Sequence, residues 1–186
     1  LILYLIGRIY MDSIQQVDEF FPDDIANHIA EYAFYRAQYN YGESDNPDAP
    51  ATGLVANLFH LKVGALGENE KVIYDYFIEY VNKKYPGFWD TYTLFRLYIN
   101  CFAPREQAYF HTDSGVWTFL YYPIHNFDCD KNQGGCTEFF VDEQIIGIPP
   151  YYNSMVRFSA PMEHRATPFK DHHRFTIALK CIKNEK

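Results

Sequence analysis

Four side chains in the C-terminal half of this 186-residue chain could together hold a metal ion and an acid. His111 and Asp113 stand two positions apart, and His164 follows much later in the chain. Two imidazoles and one carboxylate can bind a single ion and leave three coordination positions open. Arg174 comes ten positions after His164, and its guanidinium fork matches a carboxylate with two hydrogen bonds. These residues predict a metal site with an anion site nearby.

An isolated H-x-D pair is weak evidence, because seven His and 24 acidic residues produce such pairs by chance. The motifs around it are more specific. From Arg96 to Lys180 the chain runs through RLYINCFAPREQAYFHTD, WTFLYYP, GGCTEFF and IGIPPYYNSMVRFSAPMEHRATPFKDHHRFTIALK. This order resembles the 2-oxoglutarate- and Fe(II)-dependent oxygenase superfamily, in the branch that includes the prolyl 4-hydroxylases. The resemblance covers the C-terminal half, and the N-terminal half has no comparably diagnostic motif.

The resemblance implies a ligand set and a group of cofactors. His111, Asp113 and His164 would bind Fe(II) and form the catalytic centre. The co-substrates would be 2-oxoglutarate and dioxygen, with ascorbate as an optional reductant. Because residues two apart on a strand project to the same face, His111 and Asp113 could reach one ion from a strand.

Several other histidines compete for the place of the second imidazole. His164 follows a predicted strand through a short turn and has Arg174 downstream, as the family pattern requires. His172 and His173 directly precede Arg174 and are interpreted as loop residues. His125 falls in a polar segment and is interpreted as solvent-facing.

The co-substrate would be held by polar residues on two predicted strands. The resemblance implies that Arg174 binds the distal carboxylate of 2-oxoglutarate, and Thr176 shares its strand face. Arg165 competes for this role, but its position beside His164 would direct it away from the pocket. Tyr98 and Asn100 resemble polar positions that line the co-substrate pocket in related oxygenases, although ordinary core positions would also suit them.

The periodicity changes along the chain from helical to strand-like. Two amphipathic helices are predicted, one from Pro22 to Phe34 and one around Val72 to Val81 that ends at Tyr85-Pro86-Gly87. Short β-rich runs follow from Thr91 onward. The predicted strands are Thr93 to Phe102, Val116 to Tyr122, Thr137 to Val141, Ser154 to Phe158 and Arg174 to Cys181.

We therefore expect a mainly β fold with N-terminal α-helices, specifically a double-stranded β-helix, or jelly roll. The length suits one domain over residues 1–186. Helical support would occupy roughly residues 20–90 and the β-core roughly residues 91–182.

Composition limits the partners and the location. A net charge of -8 and a pI near 5.3 argue against nucleic acid, because no basic stripe offsets phosphate repulsion. The mean hydropathy of -0.32 and the lack of a long apolar run argue against a membrane span. Without a C-x-x-C pair or a signal-peptide pattern, the four Cys predict reduced thiols in a cytoplasmic protein, with Cys129 and Cys136 as the pair that oxidation could join. The oligomeric state is not predicted.

The resemblance implies a dioxygenase that hydroxylates a substrate C–H bond, with peptidyl proline as the leading substrate and a protein or peptide as the partner. Residues 123–133 are predicted to be a mobile lid over the metal. The alternatives are another peptide side chain, a nucleobase or a small metabolite as the substrate. Two rival classes are a non-catalytic metal-binding jelly roll and a zinc-dependent hydrolase, which has no use for a carboxylate anchor.

Overall fold

Two antiparallel β-sheets contain most of the regular structure in a computed structural model that describes residues 14–41, 50–124 and 134–185. The larger sheet has eight strands in the order β1-β9-β6-β11-β5-β3-β2, with β4 paired to β3. The smaller sheet has the order β10-β7-β8. The strands are β1 Gln15–Val17, β2 Asn40–Tyr41, β3 Leu54–His60, β4 Gly64–Ala65, β5 Tyr92–Phe102, β6 Trp117–Tyr122, β7 Thr137–Val141, β8 Gln144–Ile148, β9 Ser154–Ser159, β10 His164–Ala166 and β11 Arg174–Lys183.

The described residues also form three helices: α1 Asp23–Tyr35, α2 Glu68–Lys84 and α3 Phe88–Thr91. Acidic residues in the first turns of α1 and α2 lie where the helix dipole favours negative charge. Two lysines in the last turn of α2 are matched to its C-terminus in the same way. Gly87 lies between α2 and α3 and has a φ of 76°, a left-handed conformation that glycine adopts without strain.

The larger sheet has a helical layer on one face and the smaller sheet on the other. Apolar residues of α1 and α2 pack in one buried cluster with β5 residues such as Leu97 and Ile99. The neighbouring residue Tyr98 points the opposite way and packs with Phe139 of the smaller sheet. Because successive strand residues alternate between faces, β5 can serve both clusters. The metal-site residues are expected on the second face, between the sheets.

Both predicted helices and all five predicted strands are present, with ends that differ by a few residues. The predicted division into a helical half and a β half needs correction, because β1 to β4 lie before residue 91 and β3 pairs with β5. The strands β8 and β10 were also not predicted. The strand β10 has only three residues, so local periodicity carries little information about it, whereas β8 forms a hairpin with β7 that was not predicted.

Some predictions fall on parts of the chain that the structure does not describe. His125, Cys129 and nearly all of the predicted lid at 123–133 lie outside the described residues. The pairing of Cys129 with Cys136 therefore stays a prediction. Cys101 and Cys181 are buried free thiols. None of the helices in the described segments has both the length and the apolarity needed to cross a membrane.

Candidate metal centre

His111, Asp113 and His164 lie together in the folded chain. Their ligand atoms are all within 4.8 Å of one another, and this is the only such cluster among the described residues. The His111 Nε2 atom lies 3.7 Å from Asp113 Oδ1, and His164 Nε2 lies 3.4 Å from Asp113 Oδ2. The three side chains are only 10%, 5% and 5% exposed. Such shielded donors can take up an ion without competition from bulk water.

Backbone pairing holds the two halves of this cluster together. His111 and His164 exchange two hydrogen bonds, with N–O distances of 3.0 and 2.9 Å. The Asp113 amide donates to the Ala160 carbonyl at 2.8 Å. The expectation that His111 and Asp113 stand on a strand is wrong in detail, since His111 forms only an isolated bridge and Asp113 follows in irregular backbone. Backbone pairing with Ala160 and with His164, the first residue of β10, orients both side chains instead.

Each histidine has its outer nitrogen fixed by a backbone carbonyl. His111 Nδ1 lies 2.9 Å from the Tyr109 oxygen, and His164 Nδ1 lies 2.8 Å from the Met162 oxygen. A carbonyl only accepts hydrogen bonds, so each Nδ1 must carry the proton. The Nε2 atom of each ring then lies on the side that faces Asp113. This is the usual arrangement of metal-binding histidines, whose second nitrogen donates to a carbonyl or carboxylate.

The charges around Asp113 keep the carboxylate ionised. Burial raises its pKa, but the nearby Lys180 and His164 and hydrogen bonds from Lys180 and Thr118 outweigh burial, so that the net pKa is lowered. The Thr118 hydroxyl donates to Asp113 Oδ2 at 2.7 Å, and the Lys180 ammonium forms an ion pair with the same oxygen. Burial lowers the pKa of His164 to about 4, against the opposing effect of Asp113. At neutral pH the cluster therefore offers an anionic oxygen and a neutral His164.

Arg174 is buried with neutral partners. Its Nε donates to the Gly135 carbonyl and its Nη2 to the Thr137 hydroxyl, each at 2.9 Å. The guanidinium carbon lies 5.9 Å from the centre of the Tyr122 ring. Burial lowers the pKa of Arg174, yet a guanidinium keeps its proton in proteins. No acidic side chain of the described segments is within ion-pair distance of this charge, so the site is well suited to an anionic ligand.

A single pocket joins Arg174 to the histidines. Strand pairing places Thr176 beside Asn100 and Ala178 beside Tyr98, on the face that looks into this pocket. All four sequence-predicted co-substrate residues line it. The full lining is Tyr98, Asn100, Phe102, Ala108, His111, Leu120, Thr137, His164, Ala166, Arg174, Thr176 and Lys180.

Three side-chain contacts at this site were not predicted from the sequence. Thr118 contacts Asp113, Thr137 contacts Arg174, and Lys180 contacts Asp113. Lys180 could have been found, since the alternation that groups Arg174 with Thr176 continues to Lys180. Thr118 and Thr137 gave no comparable signal, because buried threonines are common on strands.

The competing candidates lie elsewhere. Arg165 forms an ion pair with Glu138 at 2.8 Å and stacks over the Phe110 ring, 4.3 Å from its centre. His172 and His173 are exposed residues of the connection before β11. None of these three residues lines the pocket that His164 and Arg174 share.

The Gly134-Gly135 pair does more than form a turn. Both residues have positive φ angles, 78° and 82°, as glycine readily allows. A Cβ on Gly135 would approach the Phe169 ring to 2.2 Å, so a side chain is excluded. The resulting close turn presents the Gly135 carbonyl to Arg174. The motif thus holds the guanidinium in position.

Neither a protein-family model nor a curated protein sequence matches this chain. Solved structures do. A 2OG-Fe(II) oxygenase family oxidoreductase from Burkholderia pseudomallei aligns over 98% of this chain and 91% of its own, with a TM-score of 0.74 and 10% identity. A prolyl-4-hydroxylase from Pseudomonas putida aligns over 97% and 99%, with a TM-score of 0.67 and 13% identity.

A prolyl hydroxylase from Trichoplax adhaerens, in complex with a peptide fragment of the hypoxia inducible factor oxygen degradation domain, aligns over 95% of this chain and 86% of its own. Its TM-score is 0.67 at 13% identity. At these identities the likeness concerns the fold, and it agrees with the motifs in the C-terminal half. The chain adopts the fold of the 2OG-Fe(II) oxygenases and prolyl hydroxylases to which it is similar.

Proposed function

We propose that this chain is an Fe(II)- and 2-oxoglutarate-dependent dioxygenase that hydroxylates a C–H bond of its substrate. The observation that carries the proposal is one pocket with two kinds of binding group. The donor atoms of His111, Asp113 and His164 converge at one end. At the other end the buried Arg174 has only neutral partners in the described segments. In this proposal, the two sheets are the halves of a double-stranded β-helix.

The donor set fits Fe(II). Two imidazoles and one carboxylate are the protein ligands typical of non-heme Fe(II) oxygenases, and three coordination positions remain for other ligands. The carbonyls behind His111 and His164 fix the rings with Nε2 directed toward Asp113. The Thr118 hydroxyl orients the Asp113 carboxylate. When bound, Fe(II) and 2-oxoglutarate supply the activation of dioxygen, which places one oxygen atom on the substrate and one on succinate as carbon dioxide is released.

The other end of the pocket binds and orients the co-substrate. Arg174 holds the distal carboxylate of 2-oxoglutarate, and the Thr176 hydroxyl on the same strand face adds a hydrogen bond. Tyr98 and Asn100 on β5 supply further polar contacts across the pocket. Gly135 and the hydroxyl of Thr137 keep the guanidinium in one orientation, and the surrounding apolar side chains exclude water.

The two rival classes of protein would not need the Arg174 end of the pocket. A zinc-dependent hydrolase or a non-catalytic metal-binding jelly roll would use the three ligands alone. Neither would need a buried guanidinium and a hydroxyl facing the same pocket as the metal ligands. The position of Arg174 and Thr176 therefore supports the oxygenase over both rivals.

Peptidyl proline is the substrate that we propose first. The motif order resembles prolyl 4-hydroxylases, and two of the similar structures are prolyl hydroxylases, one of them with a bound peptide. A net charge of -8 suits a neutral or basic peptide better than a polyanion. A proline in a flexible segment also presents a fixed ring at little entropic cost.

The test is a turnover assay with product identification. Purified protein is incubated with Fe(II), 2-oxoglutarate, ascorbate, air and a panel of Pro-containing peptides, nucleosides and free amino acids. We expect succinate release and a gain of one oxygen on proline by mass spectrometry, both absent in His164→Ala and present in His173→Ala, which removes an exposed histidine outside the pocket. Oxidation of a nucleobase or metabolite instead would keep the oxygenase and reject the prolyl substrate. No succinate with any substrate would reject both.

A further inference from the structure

Lys180 is a buried cation for which the proposed chemistry has no use. Its exposure is 6%, and its ammonium forms an ion pair with Oδ2 of Asp113. The ammonium also lies 5.8 Å from the centre of the Tyr98 ring. A buried lysine is costly unless a negative charge accompanies it. In the protein alone that charge is Asp113.

The partner of Lys180 is also a proposed metal ligand. Asp113 Oδ2 accepts a hydrogen bond from the Thr118 hydroxyl and lies 3.4 Å from His164 Nε2. A divalent ion at this cluster would bind the same carboxylate. The ion and the Lys180 ammonium would then lie close together and repel each other. A bound metal would therefore share Asp113 with Lys180 and weaken the stabilisation that this carboxylate gives the ammonium.

The charges of the remaining components balance without Lys180. The two charges of Fe(II) would be matched by Asp113 and the proximal carboxylate of 2-oxoglutarate, and Arg174 would be matched by the distal carboxylate. Lys180 then adds one positive charge with no counterpart. The structure records no second acidic side chain within ion-pair distance of Lys180 in the described segments. A buried cation without a nearby negative charge is unfavourable, so an anionic group of a ligand that lies beside it is stabilised.

We propose that Lys180 is a substrate-binding residue and that the substrate carries a carboxylate close to the carbon that is oxidised. Lys180 and Arg174 stand six positions apart on one face of β11, which separates their Cα atoms by about 20 Å. Arg174 thus serves the co-substrate at one end, and Lys180 serves the substrate near the metal ligands. Among proline ligands, this selects those with a free carboxylate, such as L-proline or a C-terminal prolyl peptide.

The inference rests on the proposed function, since it assumes a metal at Asp113 and 2-oxoglutarate at Arg174. Its test measures binding without turnover. Protein is loaded with Mn(II) and 2-oxoglutarate in the absence of oxygen and titrated by calorimetry with matched pairs of N-acetyl amino acids and their amides. The panel includes proline and Ac-Gly-Pro, each as the acid and as the amide.

We expect at least one acid to bind roughly ten- to a hundred-fold more tightly than its amide, the usual effect of a charge-assisted contact. Lys180→Met should abolish this preference and Lys180→Arg should retain it. Arg96→Met is the matched control, because Arg96 pairs with Lys180 across the strands but does not line the pocket. It should retain the preference.

Three results would overturn the inference. In the first, no acid in the panel is preferred over its amide. In the second, the preference survives in Lys180→Met. In the third, Lys180→Met weakens 2-oxoglutarate alone, so that Lys180 serves the co-substrate. Failure of the wild-type protein to bind Mn(II) and 2-oxoglutarate at the loading step would instead reject the proposed function, and the inference with it.

Discussion

Each end of the pocket contains a buried cation, and the two cations differ in the charge of their partners. Arg174 and Lys180 project from the same face of β11, and both are buried. Arg174 is held by a carbonyl and a hydroxyl, which orient the guanidinium without neutralising it. Lys180 is neutralised by Asp113, which belongs to the candidate metal site. Arg174 therefore has no acidic partner until a ligand binds, whereas Lys180 shares its acidic partner with the proposed metal.

The largest effect is expected from a variant that destroys the metal site and leaves the Arg174 site intact. His164→Ala should abolish detectable Mn(II) binding by calorimetry, because two remaining protein ligands cannot hold the ion. The Arg174 end should keep its fold, since His164→Ala leaves Gly135 and Thr137 in place. His173→Ala provides the control and should bind Mn(II) as the wild type does. Unchanged Mn(II) affinity in His164→Ala would remove the second imidazole from the account.

A smaller effect of opposite sign is expected at Lys180. Lys180→Met removes the cation that shares Asp113 with the metal, so Mn(II) affinity should rise by roughly ten- to a hundred-fold. In the metal-free protein the same change leaves Asp113 buried without its counter-ion and should lower the free energy of unfolding by about 3 kcal/mol. Calorimetry and denaturant unfolding measure the two effects. Weaker Mn(II) binding in Lys180→Met would show that Lys180 assists the metal instead of competing with it.

The smallest effects are expected from two variants that each remove the hydroxyl of a buried threonine. Thr118→Val removes the hydroxyl that orients Asp113 and should weaken Mn(II) binding by about fivefold, near 1 kcal/mol. Thr137→Val makes the same chemical change at the Arg174 end, where it should weaken 2-oxoglutarate binding and leave Mn(II) affinity unchanged. Valine keeps the shape of threonine, so the pair reports on the hydrogen bonds. Equal effects of both variants on Mn(II) affinity would contradict the separation of the two ends.

The motif-bearing strands were predicted well because they are rich in β-branched and aromatic residues and are bounded by turn residues. The strand that begins at Thr137 was predicted with the observed ends, and the one from Arg174 was only two residues short. The N-terminal strands were not predicted, because partners such as β5, which pairs with β3, lie far away in the sequence. Their stability comes from tertiary contacts, which local propensity does not report.

At the site, the residue types and their order predicted the cluster of His111, Asp113 and His164, whose donor atoms the structure brings within 4.8 Å. Their metal-binding role stays a proposal. The sequence could not predict that Lys180 pairs with Asp113, because that contact depends on how β11 lies against the irregular segment after His111. It could not assign a partner to Thr118 or Thr137 either, since a hydroxyl on a strand has many alternatives.

The most direct test of the central claim is calorimetric titration of 2-oxoglutarate without oxygen, into metal-free and Mn(II)-loaded protein. The account predicts one site that needs Mn(II), with affinity lowered roughly ten- to a hundred-fold in Arg174→Met and unchanged in Arg165→Met, whose cation lies outside the pocket. Mn(II) affinity should be the same in all three proteins. Binding of 2-oxoglutarate that is independent of Mn(II), or equal in wild type and Arg174→Met, would contradict a shared pocket for metal and co-substrate.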